Sequence, residues 1–137
     1  MGAVMTQAIC KKIGASGCYF LCLIHVANQI AGKKTDVVRF YEKALSKGWI
    51  EADCYVAKPA EIIKEITGNK ADVFHAAVGY QLKQNEYEVT RYEYCETGIT
   101  YAHFVVTSNG KVIYDPFGSS RTVKLGKPVS KRIIKML

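Results

Sequence analysis

The sequence predicts an α+β fold in which an N-terminal helix packs on an antiparallel sheet. Three observations carry this. From Cys18 to Ala31 the chain holds no Asp, Glu, Lys or Arg, the composition of a helix apolar on nearly every side and therefore central to the core. Two amphipathic helical segments follow it. Beyond them the chain changes to short β-branched and aromatic runs separated by glycine-bearing turns, and helices first with strands afterwards give helices laid on an antiparallel sheet.

The first helix begins inside "GASGCYFLCLIHVA", Gly14 to Ala27, where glycines and a serine give way to a dense apolar run. In "KTDVVRFYEKALSKG" Thr35 is the expected N-cap, with Asp36 in the first turn and Gly48 as the stop. Its apolar stripe is Val37, Phe40, Tyr41, Ala44 and Leu45. A shorter helix is expected in "KPAEIIKEITG", with Pro59 at the first helical position and Gly68 beyond the end. The expected strands lie in "EYEVTRYEYC", "YAHFVVTS", "KVIYD" and "VSKRIIKM".

The 137 residues contain no repeat, linker or low-complexity segment, so one domain over 1–137 is expected. A chain of that size buries about two thirds of its unfolded surface and needs no metal or disulfide staple. Five cysteines are an odd number, and neither a secretory signal peptide nor a membrane-spanning run is present. These features lead to the expectation of a reduced, cytoplasmic protein with no membrane span. The net charge of +7 favours acidic partners in general. The lysines are nonetheless scattered, at Lys11-Lys12, Lys33-Lys34 and along the C-terminal segment, with no aromatic and basic strip for base stacking. That pattern is a solvated basic surface, and no specific nucleic-acid partner is expected.

Cys18 stands where the loop becomes the helix. A thiol in a first helical turn is acidified by unpaired backbone N–H groups and the helix dipole, and small residues from Gly14 to Gly17 leave room for a substrate. The competing reading is a small core residue, since free cysteine is often buried. Among the three histidines, His25 lies seven residues along the same helix, about 10 Å away at 1.5 Å per residue, and reads as a core histidine. His75 has no polar company in sequence. His103 opens the strand "HFVV", and the returning strand ends in "VIYDP" with Asp115, so a base and an orienting carboxylate fall on neighbouring strands. Asp115 before Pro116 also suits a plain turn. Cys18, Cys22 and His25 share a helix face but lack a fourth ligand, so neither metal nor other cofactor is expected. Cys54 and Cys95 read as ordinary thiols.

The hairpin register decides whether His103 and Asp115 meet. A two-residue Asn109-Gly110 turn sets paired residues to a sum of 219 and sends the two to opposite faces. A three-residue loop of Ser108, Asn109 and Gly110, a type I turn closed by a left-handed glycine, gives 218 and places His103 across from Asp115. Both turns accept the sequence. The second alone makes chemical sense of the two polar residues and is the expectation.

With "GCYFLCLIHVA" opening a buried helix and "AHFVVTSNGKVIYDPFGSS" forming the later hairpin, the order Cys, His, Asp resembles the papain-like cysteine peptidases. Within them it is similar to the small bacterial type that includes the bacteriocin leader-processing, double-glycine peptidases. The likeness runs from Cys18 to Gly118. It implies a papain-like fold and a Cys18 nucleophile, with His103 as general base and Asp115 orienting it, cleaving a peptide or amide bond through an acyl-enzyme. The family's oxyanion glutamine would fall at Lys12, and Tyr19 replaces the glycine that often follows the nucleophile. Gln7 and the Cys18 backbone N–H are the remaining candidates for oxyanion donors. The substrate reading divides between leader peptides and a peptidoglycan-like substrate. In the second case the chain is a cell-wall amidase or endopeptidase, a class that includes enzymes encoded by a phage and released at lysis. A catalytically degenerate binding module on the same scaffold is the third reading.

Overall fold

The computed structural model describes residue 13 and residues 17–137. Helix α1 (Cys18–Ala31) begins directly after Gly17 and ends at Gly32, whose left-handed backbone returns its N–H to the Asn28 carbonyl. A Cβ on Gly17 would come within 2.5 Å of the Ile13 carbonyl oxygen, so only glycine permits this approach into the helix. The apolar run does what its composition demands: Phe20, Cys22, Leu23, Ile24, Val26 and Ala27 are all buried.

Helix α2 (Val37–Lys47) buries Phe40, Tyr41 and Ala44 and stops at Gly48, as its pattern requires. Its N-cap is Asp36 instead of Thr35, because the Asp36 carboxylate accepts the Arg39 N–H at 3.2 Å. The Thr35 hydroxyl donates instead to Asn28 Oδ1 at 2.6 Å, fastening the loop to the end of α1. Helix α3 (Pro59–Thr67) turns Ile62, Ile63 and Ile66 inward. Among the described residues no helix is long and apolar enough to cross a membrane.

The sheet has five antiparallel strands: β1 (Ala71–Ala76), β2 (Glu86–Glu96), β3 (Ile99–Ser108), β4 (Lys111–Tyr114) and β5 (Lys127–Met136). Their spatial order is β1-β5-β2-β3-β4, so the C-terminal strand is inserted between β1 and β2. Strand β1 is an addition to the elements expected from sequence, as is the short helix α4 (Arg121–Leu125), which Ser120 caps through the Val123 N–H. The helices pack on one face, where Val89, Val106 and Ile134 join the core built by α1, α2 and α3. This is a mixed α+β fold with an N-terminal helix on an antiparallel sheet.

The other face holds a buried polar network. Lys131 Nζ donates to Glu88 Oε1 at 2.9 Å and to the Tyr80 carbonyl at 3.0 Å. The second Glu88 oxygen accepts the Thr107 hydroxyl and the Gly110 N–H, and Thr107 is bonded in turn to Thr90. Every buried polar group there has a partner, which is the condition for such a network to specify a structure.

That network corrects the hairpin expectation. The turn has two residues: Ser108 pairs with Lys111 and Thr107 with Val112, a sum of 219. Asn109 and Gly110 both have positive φ, 49° and 90°, the signature of a type I′ turn. Gly110 is left-handed as expected, but Ser108 and Asn109 do not form a type I turn before it. The tighter turn wins because Glu88 takes the Gly110 N–H at 3.0 Å while Asn109 Oδ1 takes the Leu82 N–H at 3.2 Å. One step later the register shifts. Val106 pairs with Tyr114, Ile113 is left unpaired as a bulge, and the sum becomes 220. Continued by one residue, that register sets Asp115 beside Val105 and returns it to the face that His103 shares. The polar pair meets through a bulge in β4 where a wider turn was expected.

Candidate functional site

Cys18 occupies the first position of α1, at the edge of β3. Phe104 shows why the thiol fits there. Its carbonyl accepts the Cys22 thiol at 3.4 Å, and its backbone helps to lower the pKa of the Cys18 thiol. One residue of β3 therefore meets both thiols of α1 in the region where β4 has ended. The Tyr19 ring stacks on the Phe104 ring, with centroids 4.8 Å apart, and holds the first turn of α1 against the strand.

His103, with only 2% of its surface exposed, is fixed from two sides. Its Nε2 lies 2.7 Å from Asp115 Oδ1. The same carboxylate oxygen accepts the Phe117 N–H at 2.8 Å, and the Gly118 N–H returns to the Asp115 carbonyl at 2.8 Å. Asp115 thus starts the turn that Asp-Pro suggests and orients the histidine as well. Phe117 completes the clamp, its ring stacked on the imidazole at 4.6 Å and tilted by 18°. With Nε2 engaged by Asp115, Nδ1 is the ring nitrogen not taken by that pairing.

The electrostatics follow from these contacts. Burial pushes the Cys18 thiol up, but hydrogen bonds from His103 and the Phe104 N–H, the imidazole charge and the Tyr19 N–H outweigh it, and its pKa is lowered. Burial pushes His103 down, but bonds to Cys18 and Asp115 and their charges outweigh it, and its pKa is raised. A lowered thiol facing a raised imidazole favours the thiolate–imidazolium pair. Cys22, one turn along the same helix, is pushed well above the ordinary thiol range by burial, with the charges of Cys18 and Asp115 adding to it. Two thiols four residues apart thus differ sharply in character, because Cys22 is the more deeply buried and only Cys18 is lowered by His103.

Beside Cys18 opens a cleft of about 560 Å³. Its walls include Tyr19, Phe104, Arg91, Arg132, Cys54 and His75. His75 has no polar neighbour in sequence, yet strand β1 brings it opposite Arg132 of β5 and to this cleft. His25 stays apart, partly buried with its ring stacked on Tyr114 at 3.8 Å, and is not the fully buried core histidine expected. Phe117, Arg91 and Arg132 went unmarked in the sequence, although the Asp-Pro-Phe-Gly order at 115–118 signals a tight turn beside the carboxylate. Gln7 and Lys12 lie outside the described residues. The Cys18 N–H stands at the first helical position, where the backbone donor has no acceptor within the helix itself.

Comparison with curated proteins and with solved structures gives no match. A family model described as "Protein of unknown function, DUF261" matches residues 5–136, and the chain belongs to that family.

Proposed function

We propose that this chain is a cysteine hydrolase on a papain-like scaffold, cleaving a peptide or amide bond through Cys18, His103 and Asp115. The observation that carries the reading is the 2.7 Å pairing of the buried His103 ring with the Asp115 carboxylate, beside a Cys18 thiol whose pKa is lowered by His103 against the effect of burial. Nucleophile, base and orienting acid in contact are what acyl transfer requires.

In the reaction, the Cys18 thiolate attacks the scissile carbonyl carbon and the electron pair of the C=O moves to oxygen. The Cys18 N–H stabilises that oxyanion. The His103 imidazolium then gives its proton to the leaving amine as the C–N bond breaks, leaving a thioester on Cys18. Water enters, His103 takes its proton, and hydrolysis returns the free thiol and the carboxylic acid. Asp115 holds the ring orientation and stabilises the imidazolium throughout. Peptides and peptidoglycan-like cross-links are the substrate classes that present such a bond.

Alkylation by iodoacetamide at pH 7, mapped by peptide mass spectrometry, tests the reading. Cys18 reacting ahead of the exposed Cys95, and losing that advantage in His103→Ala, is the expected result. Cys18 reacting no faster than Cys95 would overturn it.

A further inference from the structure

Among the described residues, the lining of the cleft beside Cys18 includes two guanidinium groups and no carboxylate. Arg132 extends from β5 over the Phe104 ring, its Cζ 5.4 Å from the ring centroid, and Phe104 is itself stacked on Tyr19. Arg91, from β2, lines the same cleft and is paired with Glu93. Arg132 has only neutral partners, the Ser130 hydroxyl at 2.8 Å and the Lys131 carbonyl at 3.4 Å. Among the described residues no acid pairs with it.

Tyr19 does not compensate this charge, because burial pushes its phenol up to about 12 and keeps it neutral. Burial also presses the Arg132 pKa down, Tyr19 opposes this, and the like charge of Arg91 adds to the depression. A partly buried guanidinium stacked on an aromatic face, beside a second cation and without a counter-ion, is a fork awaiting a planar anion. Its place in the wall that also holds Cys18 says which molecule brings that anion.

We infer that the substrate carries a carboxylate next to the bond attacked by Cys18, bound by the planar fork of Arg132 with Arg91 adding to the field. This rests on the hydrolase reading and narrows it to acidic substrates. The carboxylate has two sources in a peptide-like molecule, the main-chain terminus and an acidic side chain.

Paired alkylating probes separate these possibilities. Iodoacetyl-glycine against iodoacetyl-glycinamide tests the terminal carboxylate. Iodoacetyl-glutamic acid α-amide against iodoacetyl-glutamine amide tests the side-chain carboxylate. The absolute rate with the neutral probes reads the thiol and hence the hydrolase reading; the acid-to-neutral ratio at Cys18 reads Arg132. Cys95, exposed on the same molecule, is the internal control for the net positive charge. In about 0.3 M salt, where exposed charges beyond several Å are screened, the ratio at Cys18 should exceed that at Cys95 by about tenfold or more in at least one pair. Arg132→Met should bring the two ratios together, and Arg132→Lys, which keeps the charge without the fork, should lose most of the preference. Equal ratios at Cys18 and Cys95 in the unmodified protein for both pairs would overturn the inference, whatever the variants do. A preference retained in a folded Arg132→Lys or Arg132→Met protein would overturn the assignment to Arg132.

Discussion

Asp115 Oδ1 lies 2.7 Å from His103 Nε2, and the two residues reach that distance only because Ile113 bulges out of β4. Without the bulge, the two-residue turn would leave base and carboxylate on opposite faces of the sheet. The pairing is therefore built into the backbone of the hairpin, and its chemical effect can be removed without removing the backbone.

Asp115→Asn does this. The amide oxygen still accepts the Phe117 N–H, so the turn at 115–118 is retained, while the negative charge that raises the His103 pKa is gone. The imidazolium becomes less favourable, and the Cys18 thiolate loses part of its counter-charge. Iodoacetamide labelling of Cys18 near pH 6.5 should fall by roughly tenfold for each unit by which the thiol pKa rises. An unchanged rate in a folded variant would show that Asp115 only forms the turn.

The pH dependence follows from the two opposed shifts. Cys18 is lowered, so the stability contributed by its thiolate is lost as pH falls through its folded value. His103 is raised, so the stability contributed by its protonated form is lost as pH rises through its folded value. The two shifts run toward each other, and where they cross an ion pair forms between them; the expected outcome is then a difference in melting temperature between the native chain and Cys18→Ser that is bell-shaped in pH. Alkylation of Cys18 should already be substantial below the ordinary thiol range, declining on the acid side as the thiolate is protonated. A single rise at the ordinary thiol pKa, with no acid-side reactivity, would contradict both shifts.

Much of this arrangement was legible in the sequence, and what was not has identifiable causes. The start of α1 at Cys18 follows from Gly17 meeting an uncharged apolar run. Strand β3, which carries His103, and strand β4, which ends directly before Asp115, follow from β-branched composition and a turn between them. Strand β1 was obscured because its burial is incomplete along its whole length, with Asp72 and His75 exposed, so no hydrophobic alternation marks it. The turn register was open because Asn109-Gly110 accepts two geometries. The choice rests on Glu88 and Leu82, 22 and 27 residues away in sequence. Local pattern cannot record a decision made by distant partners.

Phe117 is the least visible member of the site, since one aromatic in a turn has no periodicity to reveal it. Its ring covers the His103 imidazole while staying half exposed itself. Phe117→Ala should change the melting temperature little, because a half-exposed side chain gives up little buried area. It should lower Cys18 labelling several-fold, since water then reaches the imidazole and weakens its interaction with the thiolate. Phe117→Leu, which restores cover without the stacked ring, should recover part of the rate. Equal rates in all three proteins would show that the ring has no influence on the pair.

The strictest test lies in the turn, where fold and site depend on the same two residues. At Gly110 a Cβ would meet nothing within 4 Å, so the cost expected of Gly110→Val is that of its φ of 90°. A β-branched residue held there costs about 1–3 kcal/mol. Asn109, at φ 49°, is a second constrained position, and there the tight turn reverses the tolerance a type I turn would allow. Asn109→Ala should cost about 1 kcal/mol for left-handed backbone and also removes the acceptor of the Leu82 N–H. Asn109→Gly keeps the φ and should be milder. Relief of the strain by widening the turn would slide β4 against β3, pulling Asp115 from His103 before the sheet itself fails. Gly110→Val should therefore reduce Cys18 labelling more than it lowers the melting temperature would imply, whereas Glu88→Gln, which loosens the same turn from across the sheet, should shift both in the same direction. If Gly110→Val melts early but labels at the native rate below its transition, the hairpin turn does not set the distance between base and carboxylate.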